Sequence, residues 1–274
     1  MKILAPTDLC PISINGLKYA AALANYLLMD LELLYVIHQP MMLKSGVFNS
    51  KKLDDLLEND GVNELNLMVT DLQKEFPNLK NIQYHISHAP KVDVEICQFA
   101  HKSECDMVVL ATHGRSGIES IIMGSITLSV INRSSVPVIA IPGNTLFNPI
   151  KMIALPANLS EIEYQLNTAI PFALLFNAYI EIVHVSKQKL EKTNEIELAF
   201  KKFVYKQLYP KIHYHHLKND DIPTGIISYL QENYCDMIIF FTHELSLYER
   251  IYNLGISNKV IPFANLPILI IKSF

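Results

Sequence analysis

Two clusters of residues in this chain have types and spacings suited to chemistry. The first begins where the apolar run Met107-Val108-Val109-Leu110 gives way to Ala111-Thr112-His113-Gly114-Arg115-Ser116-Gly117. It closes at Met123-Gly124-Ser125-Ile126-Thr127, where a helical pattern opens. Glycines let a backbone approach a phosphate closely, and a helix start offers unpaired N–H groups at the positive end of its dipole. The chemistry implied is anion binding, with the hydroxyls of Ser125 and Thr127 in reach of the same anion. The second cluster is Pro6-Thr7-Asp8, at the end of a short apolar stretch. A carboxylate there either meets a ligand or satisfies local backbone amides as a turn former.

Other chemistries are poorly served. No lysine follows the glycines as in a phosphate-gripping P-loop, and no water-positioning base is evident, so any ATP hydrolysis is expected to be slow. The serines between 116 and 129 have no His-Asp arrangement supported by spacing, which argues against nucleophilic hydrolysis. His213-x-His215-His216 invites a metal reading, and strand alternation puts His213 and His215 on one face. Spacing places no third ligand beside them, so this reads as a strand end meeting solvent. His113 and His243 recur at equivalent places, which favours a structural role. Four widely spaced cysteines imply a reducing compartment without a disulfide framework.

The elements that would carry the two clusters alternate. Lys2–Pro6, Leu31–Ile37, Ile82–Ile86, Met107–Ala111 and Val138–Ile141 read as strands. Ser13–Met29, with Ser13 as N-cap, Lys51–Phe76 with a break near Gly61, Val92–His101 and Ser125–Asn132 read as helices. Residues 38–50 read as a loop. Such alternation implies a doubly wound parallel sheet, in which ligands sit at the carboxyl ends of the strands near the topological switch point. Asp8, Val36 and the 111–114 turn all fall at such ends.

On these residues the first half resembles the universal stress protein family. Its ATP-binding signature, G-x2-G-x9-G-[S/T], is met by Ala111-x2-Gly114-x9-Gly124-Ser125, with Ala111 one methyl larger than the family glycine. Ile3-Leu4-Ala5-Pro6-Thr7-Asp8 resembles the opening strand, whose Pro-x-Asp ending meets adenosine. Leu33-Leu34-Tyr35-Val36-Ile37 resembles the second, with Val36 at the adenine position, and Val136–Pro142 the last. The resemblance covers residues 1–142 in order. It implies a nucleotide site of Pro6, Thr7, Asp8, Val36, Ala111, Thr112, His113, Gly114, Arg115, Gly117, Met123, Gly124, Ser125, Ile126 and Thr127. The cofactor would be ATP, accompanied by Mg2+.

The pattern then starts again. Ile153-Ala154-Leu155-Pro156-Ala157-Asn158 echoes the opening strand 150 residues on, and Cys235-Asp236-Met237 through Thr242-His243 echoes Cys105-Asp106-Met107 through Thr112-His113 at an offset of 130. Ile182–Val185 and Pro267–Ile271 echo the second and last strands. The expected fold is therefore α/β, with two tandem doubly wound five-stranded parallel-sheet domains at 1–145 and 151–274. They would be Rossmann-like, of the adenine nucleotide alpha hydrolase type. Because members of the family commonly dimerise, the resemblance implies a covalent pseudo-dimer through the last strands, open to further homodimerisation. The second copy has lost the signature. Asp8 becomes Asn158, Gly114 becomes Glu244, and Gly255 stands one residue out of register, followed by Ile256. Its crevice is expected to persist but not to take ATP. One of Phe240 and Phe241 would fill the space, or the space would suit an apolar ligand.

The chain has 274 residues, half of them hydrophobic, 18% charged, with a net charge of −4. This is a globular composition with ample core. Its acidic balance argues against nonspecific nucleic-acid binding. No apolar run reaches membrane-spanning length, so a cytoplasmic protein is expected. The leading reading is nucleotide-dependent sensing or regulation in a stress response. The alternative is a non-catalytic scaffold with vestigial sites. A ligase or transferase of the same superfamily would need an S-G-G-x-D-S loop after the first strand, where this chain has Asp8-Leu9-Cys10-Pro11-Ile12-Ser13.

Overall fold

The computed structural model describes residues 1–39, 50–79, 81–112, 124–142, 145–187, 209–244 and 266–272, with the backbone alone for 50–57. Contact clustering divides the chain into Met1–Phe147 together with Leu269–Phe274, and Asn148–Ile268.

The first unit runs β1 (Lys2–Thr7), α1 (Pro11–Leu27), β2 (Asp30–His38), α2 (Ser50–Glu75), β3 (Ile82–Ala89), α3 (Val92–Lys102), β4 (Met107–Thr112), α4 (Ser125–Arg133) and β5 (Val138–Pro142). Its strands lie in the order β3-β2-β1-β4-β5, all parallel. Strands β1, β4 and β5 are buried nearly throughout, as expected for a sheet covered on both faces. The chain moves outward from β1 to β3, then returns to the other side of β1 for β4. The switch point therefore falls between β1 and β4.

Two sequence expectations about helices are corrected. Helix α1 starts at Pro11, and its N-cap is Cys10, whose Sγ accepts the Ser13 N–H at 3.4 Å. Proline at the first helical position lacks the N–H that would be unsatisfied there anyway, so the helix begins before Ser13. Helix α2 is continuous through Gly61. That glycine marks a close approach: a methyl group there would stand 2.8 Å from the Tyr35 ring.

The second unit repeats the plan with β6 (Met152–Pro156), α5 (Ile162–Phe176), β7 (Tyr179–Ser186), β8 (Ile212–Lys218), α6 (Ile222–Glu232) and β9 (Met237–Phe241), ending in a 3-10 turn at Thr242–Glu244. Its strands lie in the order β9-β6-β7-β8, again parallel. The chain's last strand, β10 (Ile268–Ile271), has Leu269 onward grouped with the first unit. Among the described residues, no helix is long and apolar enough to cross a membrane.

Candidate functional site

The turn after β1 is built by its own side chains. Thr7 Oγ1 accepts the Leu9 N–H at 2.9 Å and meets Ser13 Oγ at 2.9 Å, while Asp8 Oδ1 accepts the Cys10 N–H at 3.1 Å. These bonds hold Leu9 at φ 61°, a left-handed conformation that a leucine adopts only when its surroundings impose it. The consequence is placement. Thr7 is consumed in shaping the turn and is buried, whereas Asp8 is left exposed at the carboxyl end of β1. Burial pushes the Asp8 carboxyl up, but hydrogen bonds from the Cys10 and Ser13 side chains and the Cys10 backbone outweigh it. The net effect holds the group below the ordinary carboxylate value, so it stays charged.

Val36 lies one residue past Tyr35, which pairs in register with Thr7, so it sits beside the same turn on β2. Its side chain is buried. Tyr35, which the sequence reading placed on the second strand but not in the site, is half-buried. Its phenol is pushed up by burial, with the Glu64 and Asp8 carboxylates adding to the effect. The signal that could have found it is Gly61, a glycine retained inside a long helix.

On the other side of the switch point, β4 ends at Ala111 and Thr112. A methyl group on Gly16 of α1 would stand 2.9 Å from Ala111 Cβ and 3.0 Å from Ala111 N. The Ala111 methyl is therefore turned toward α1. The space for the one-methyl departure from the family glycine is supplied by Gly16. Thr112 Oγ1 donates to the Ile141 carbonyl at 3.4 Å, inside the sheet.

Gly124 is the N-cap of α4 and has no side chain with which to cap it. Leu128 N–H closes the first helical bond to the Gly124 carbonyl at 3.0 Å. Ser125 and Ile126 are exposed in the first turn. Thr127 is not: it is buried, and its hydroxyl donates to the Ala111 carbonyl at 3.4 Å. Its hydroxyl is directed to the backbone of β4.

The structure thus brings Pro6, Thr7, Asp8, Val36, Ala111, Thr112, Gly124, Ser125, Ile126 and Thr127 to one end of the sheet, around β1 and β4. His113, Gly114, Arg115, Gly117 and Met123 lie outside the described residues.

The sequence and its parallel strand order have counterparts among known proteins. The sequence profile of the universal stress protein family matches residues 1–142. The chain belongs to that family. Among curated universal stress proteins, one from Methanocaldococcus jannaschii is 27% identical over 142 residues, covering 51% of this chain and 81% of the relative. A second from the same organism is 25% identical over 154 residues, covering 51% of this chain and 93% of the relative. The fold likeness extends further. A universal stress protein from Archaeoglobus fulgidus of known structure aligns over 99% of this chain and 96% of its own, at 20% identity and a TM-score of 0.66.

The equivalent end of the second unit satisfies itself. Gln165, fully buried, accepts the Asn158 N–H at 3.2 Å, Asn158 Oδ1 accepts the Ser160 N–H at 3.2 Å, and His184 Nδ1 meets the Ala157 carbonyl at 3.1 Å. His243 Nε2 stands 3.0 Å from Glu161 Oε2. Phe240 and Phe241 are both fully buried. Phe241 packs on Tyr164 of α5 with ring centroids 5.7 Å apart. Counted back from the left-handed C-caps Leu28 and Asn177, Gln165 of α5 stands where Gly16 stands in α1, so a large buried side chain replaces a glycine on this helix face.

His213 and His215 do share a face, but they do not simply meet solvent. His213 Nδ1 and His215 Nε2 stand 2.9 and 2.6 Å from the two carboxylate oxygens of Glu181, a buried residue that sequence reasoning missed. His216 faces the other way, stacks on His184 at 5.6 Å and meets Ser186 Oγ at 2.8 Å. Among the described residues, no group of three or more His, Cys, Asp or Glu is arranged to hold a metal ion.

Proposed function

We propose that residues 1–142 bind ATP and that the protein acts as a nucleotide-dependent sensor or regulator in a stress response. The observation that carries this reading is the pairing across the switch point. A charged carboxylate, Asp8, stands at the end of β1, and the start of α4, whose N-cap is a glycine, is tied to the end of β4. A helix start presents N–H groups and positive dipole to a phosphate chain. The exposed Ser125 adds a hydroxyl at that start, and Asp8 would accept hydrogen bonds from a ribose. Membership in the universal stress protein family and the Ala111-x2-Gly114-x9-Gly124-Ser125 spacing support the same assignment. Mg2+ would accompany the triphosphate, neutralising charge that backbone amides alone leave uncompensated. Turnover is expected to be slow, since in the sequence no lysine follows the glycines as in a P-loop and no water-positioning base is evident.

The second unit is expected not to bind ATP. Its turn after β6 already spends the Asn158 N–H on Gln165 and the Ala157 carbonyl on His184.

Calorimetric titration with Mg-ATP tests the reading. Wild-type protein should bind one ATP per chain. Gly114→Glu, which copies Glu244, should abolish binding through bulk and negative charge at the phosphates. An absence of binding by the wild type, or unchanged affinity in the variant, retires the proposal.

A further inference from the structure

We propose that Thr127 is a positioning residue for the phosphate end of the nucleotide site, not a ligand within it. The inference rests on the ATP reading above. Thr127 is 3% exposed, and its hydroxyl donates to the Ala111 carbonyl at 3.4 Å. The two residues before it, Ser125 and Ile126, face solvent. The first turn of α4 thus turns its third residue inward.

The acceptor end of this bond is itself held on two sides. Gly16 of α1 presses on Ala111 from one face, so closely that a methyl there would meet both its Cβ and its backbone nitrogen. Thr112, the next residue, is bonded through its hydroxyl to β5 at the Ile141 carbonyl. The end of β4 is therefore a fixed point, and Thr127 ties the start of α4 to it. A helix binds phosphate through N–H vectors whose direction is that of its axis, so a small rotation of a nine-residue helix misaims all of them at once. On the ATP reading an adenosine moiety would meet Asp8 and Val36 on β1 and β2 and would not depend on the helix direction. Loss of the tie should be felt by the phosphates alone.

The experiment is a paired titration of wild type, Thr127→Val, Thr127→Ala and Thr127→Ser with ATP and with adenosine, with thermal unfolding of each protein. Valine keeps the branched shape and removes the donor, and serine keeps the donor. Thr127→Val should weaken ATP binding about fivefold, the scale of one lost net hydrogen bond, and leave adenosine binding unchanged. Thr127→Ala should show the same split and gives the answer if the valine variant does not fold. Thr127→Ser should bind ATP close to wild type. Equal loss for ATP and adenosine would make Thr127 a general packing residue and overturn the inference. ATP binding unaffected in Thr127→Val, or as weak in Thr127→Ser as in Thr127→Val, would also overturn it. Wild-type protein that binds neither nucleotide would sink the ATP reading and this inference together. Wild-type binding with no split between the ligands sinks this inference alone.

Discussion

Asp8 is held charged by hydrogen bonds that outweigh its partial desolvation. Its folded-state pKa is depressed, so the stability it contributes is present above the unfolded aspartate value and lost as pH falls through the lower folded value. Asp8→Asn should therefore flatten the acid limb of a urea-denaturation series between about pH 5 and pH 2. The difference should be small, because the side chain is exposed. An acid limb identical to wild type would show that the turn does not favour the charged form. At two other residues burial prevails, and the net shift is upward. The Cys105 thiol is pushed up to about 11, mainly by burial, and the Cys235 thiol to about 12, mainly by burial and then by Glu181. Since the thiolate is the reactive species, both should resist iodoacetamide at pH 8 in the folded protein. Mass spectrometry of labelled peptides checks this, and rapid labelling of either would contradict it.

Helices and strands show the effect of paired residue sizes. Gly16 is required by the closeness of α1 to β4, since added atoms would meet the backbone nitrogen of Ala111 as well as its methyl. Gly16→Ala should destabilise the protein by about 1–3 kcal/mol, the usual cost of overpacking. Adding Ala111→Gly should recover only part of this, because the backbone contact remains. Urea denaturation of both singles and the double gives the coupling, and strict additivity would show that the two positions do not touch. Most of this level was legible beforehand. Apolar runs marked β4 and β5, and alternation marked the doubly wound order. The start of α1 was misplaced because a serine is a common N-cap, while the proline two residues earlier was the stronger signal. The break expected near Gly61 did not occur, because that glycine makes room for Tyr35 instead of interrupting the helix.

In each unit as a whole, the repeat has preserved more than the strands. Asp106 Oδ2 accepts the Lys2 N–H at 2.6 Å, and Asp236 Oδ2 accepts the Met152 N–H at 2.9 Å, so the Cys-Asp-Met echo fixes the start of the first strand in both units. A buried glutamate also recurs on the second strand. Glu32 pairs with Lys2 at 3.2 Å and His85 at 2.7 Å, while Glu181 has His213 and His215, with Met152 in the place of Lys2. The Glu32 hydrogen bond and charge raise the Lys2 pKa despite some desolvation. The associated stability is present below the ordinary lysine value of 10.5 and lost as pH rises through the raised folded value. Lys2→Met should therefore destabilise the protein at pH 7, and its deficit relative to wild type should shrink above about pH 11. A deficit constant with pH would remove the ion pair as its cause.

The sequence by itself determined the order of elements, the parallel sheet, the duplication and the family, because these rest on local signals. Apolar runs, helix periodicity, turn residues and a glycine spacing are all read along the chain. It also marked the residues that converge at the carboxyl ends of β1, β2 and β4, since a doubly wound order places them there. The tertiary structure alone decided where their side chains point. Thr7 Oγ1 accepts the Leu9 N–H and meets Ser13 Oγ, and Thr127 Oγ1 donates to the Ala111 carbonyl. Glu181 meets His213 and His215 only because β8 places them across from it. Gln165 takes the Asn158 N–H seven residues back along the chain. Such partners lie far apart in sequence or on opposite sides of a turn, and a hydrogen bond depends on direction and distance in space, which residue type and spacing do not specify.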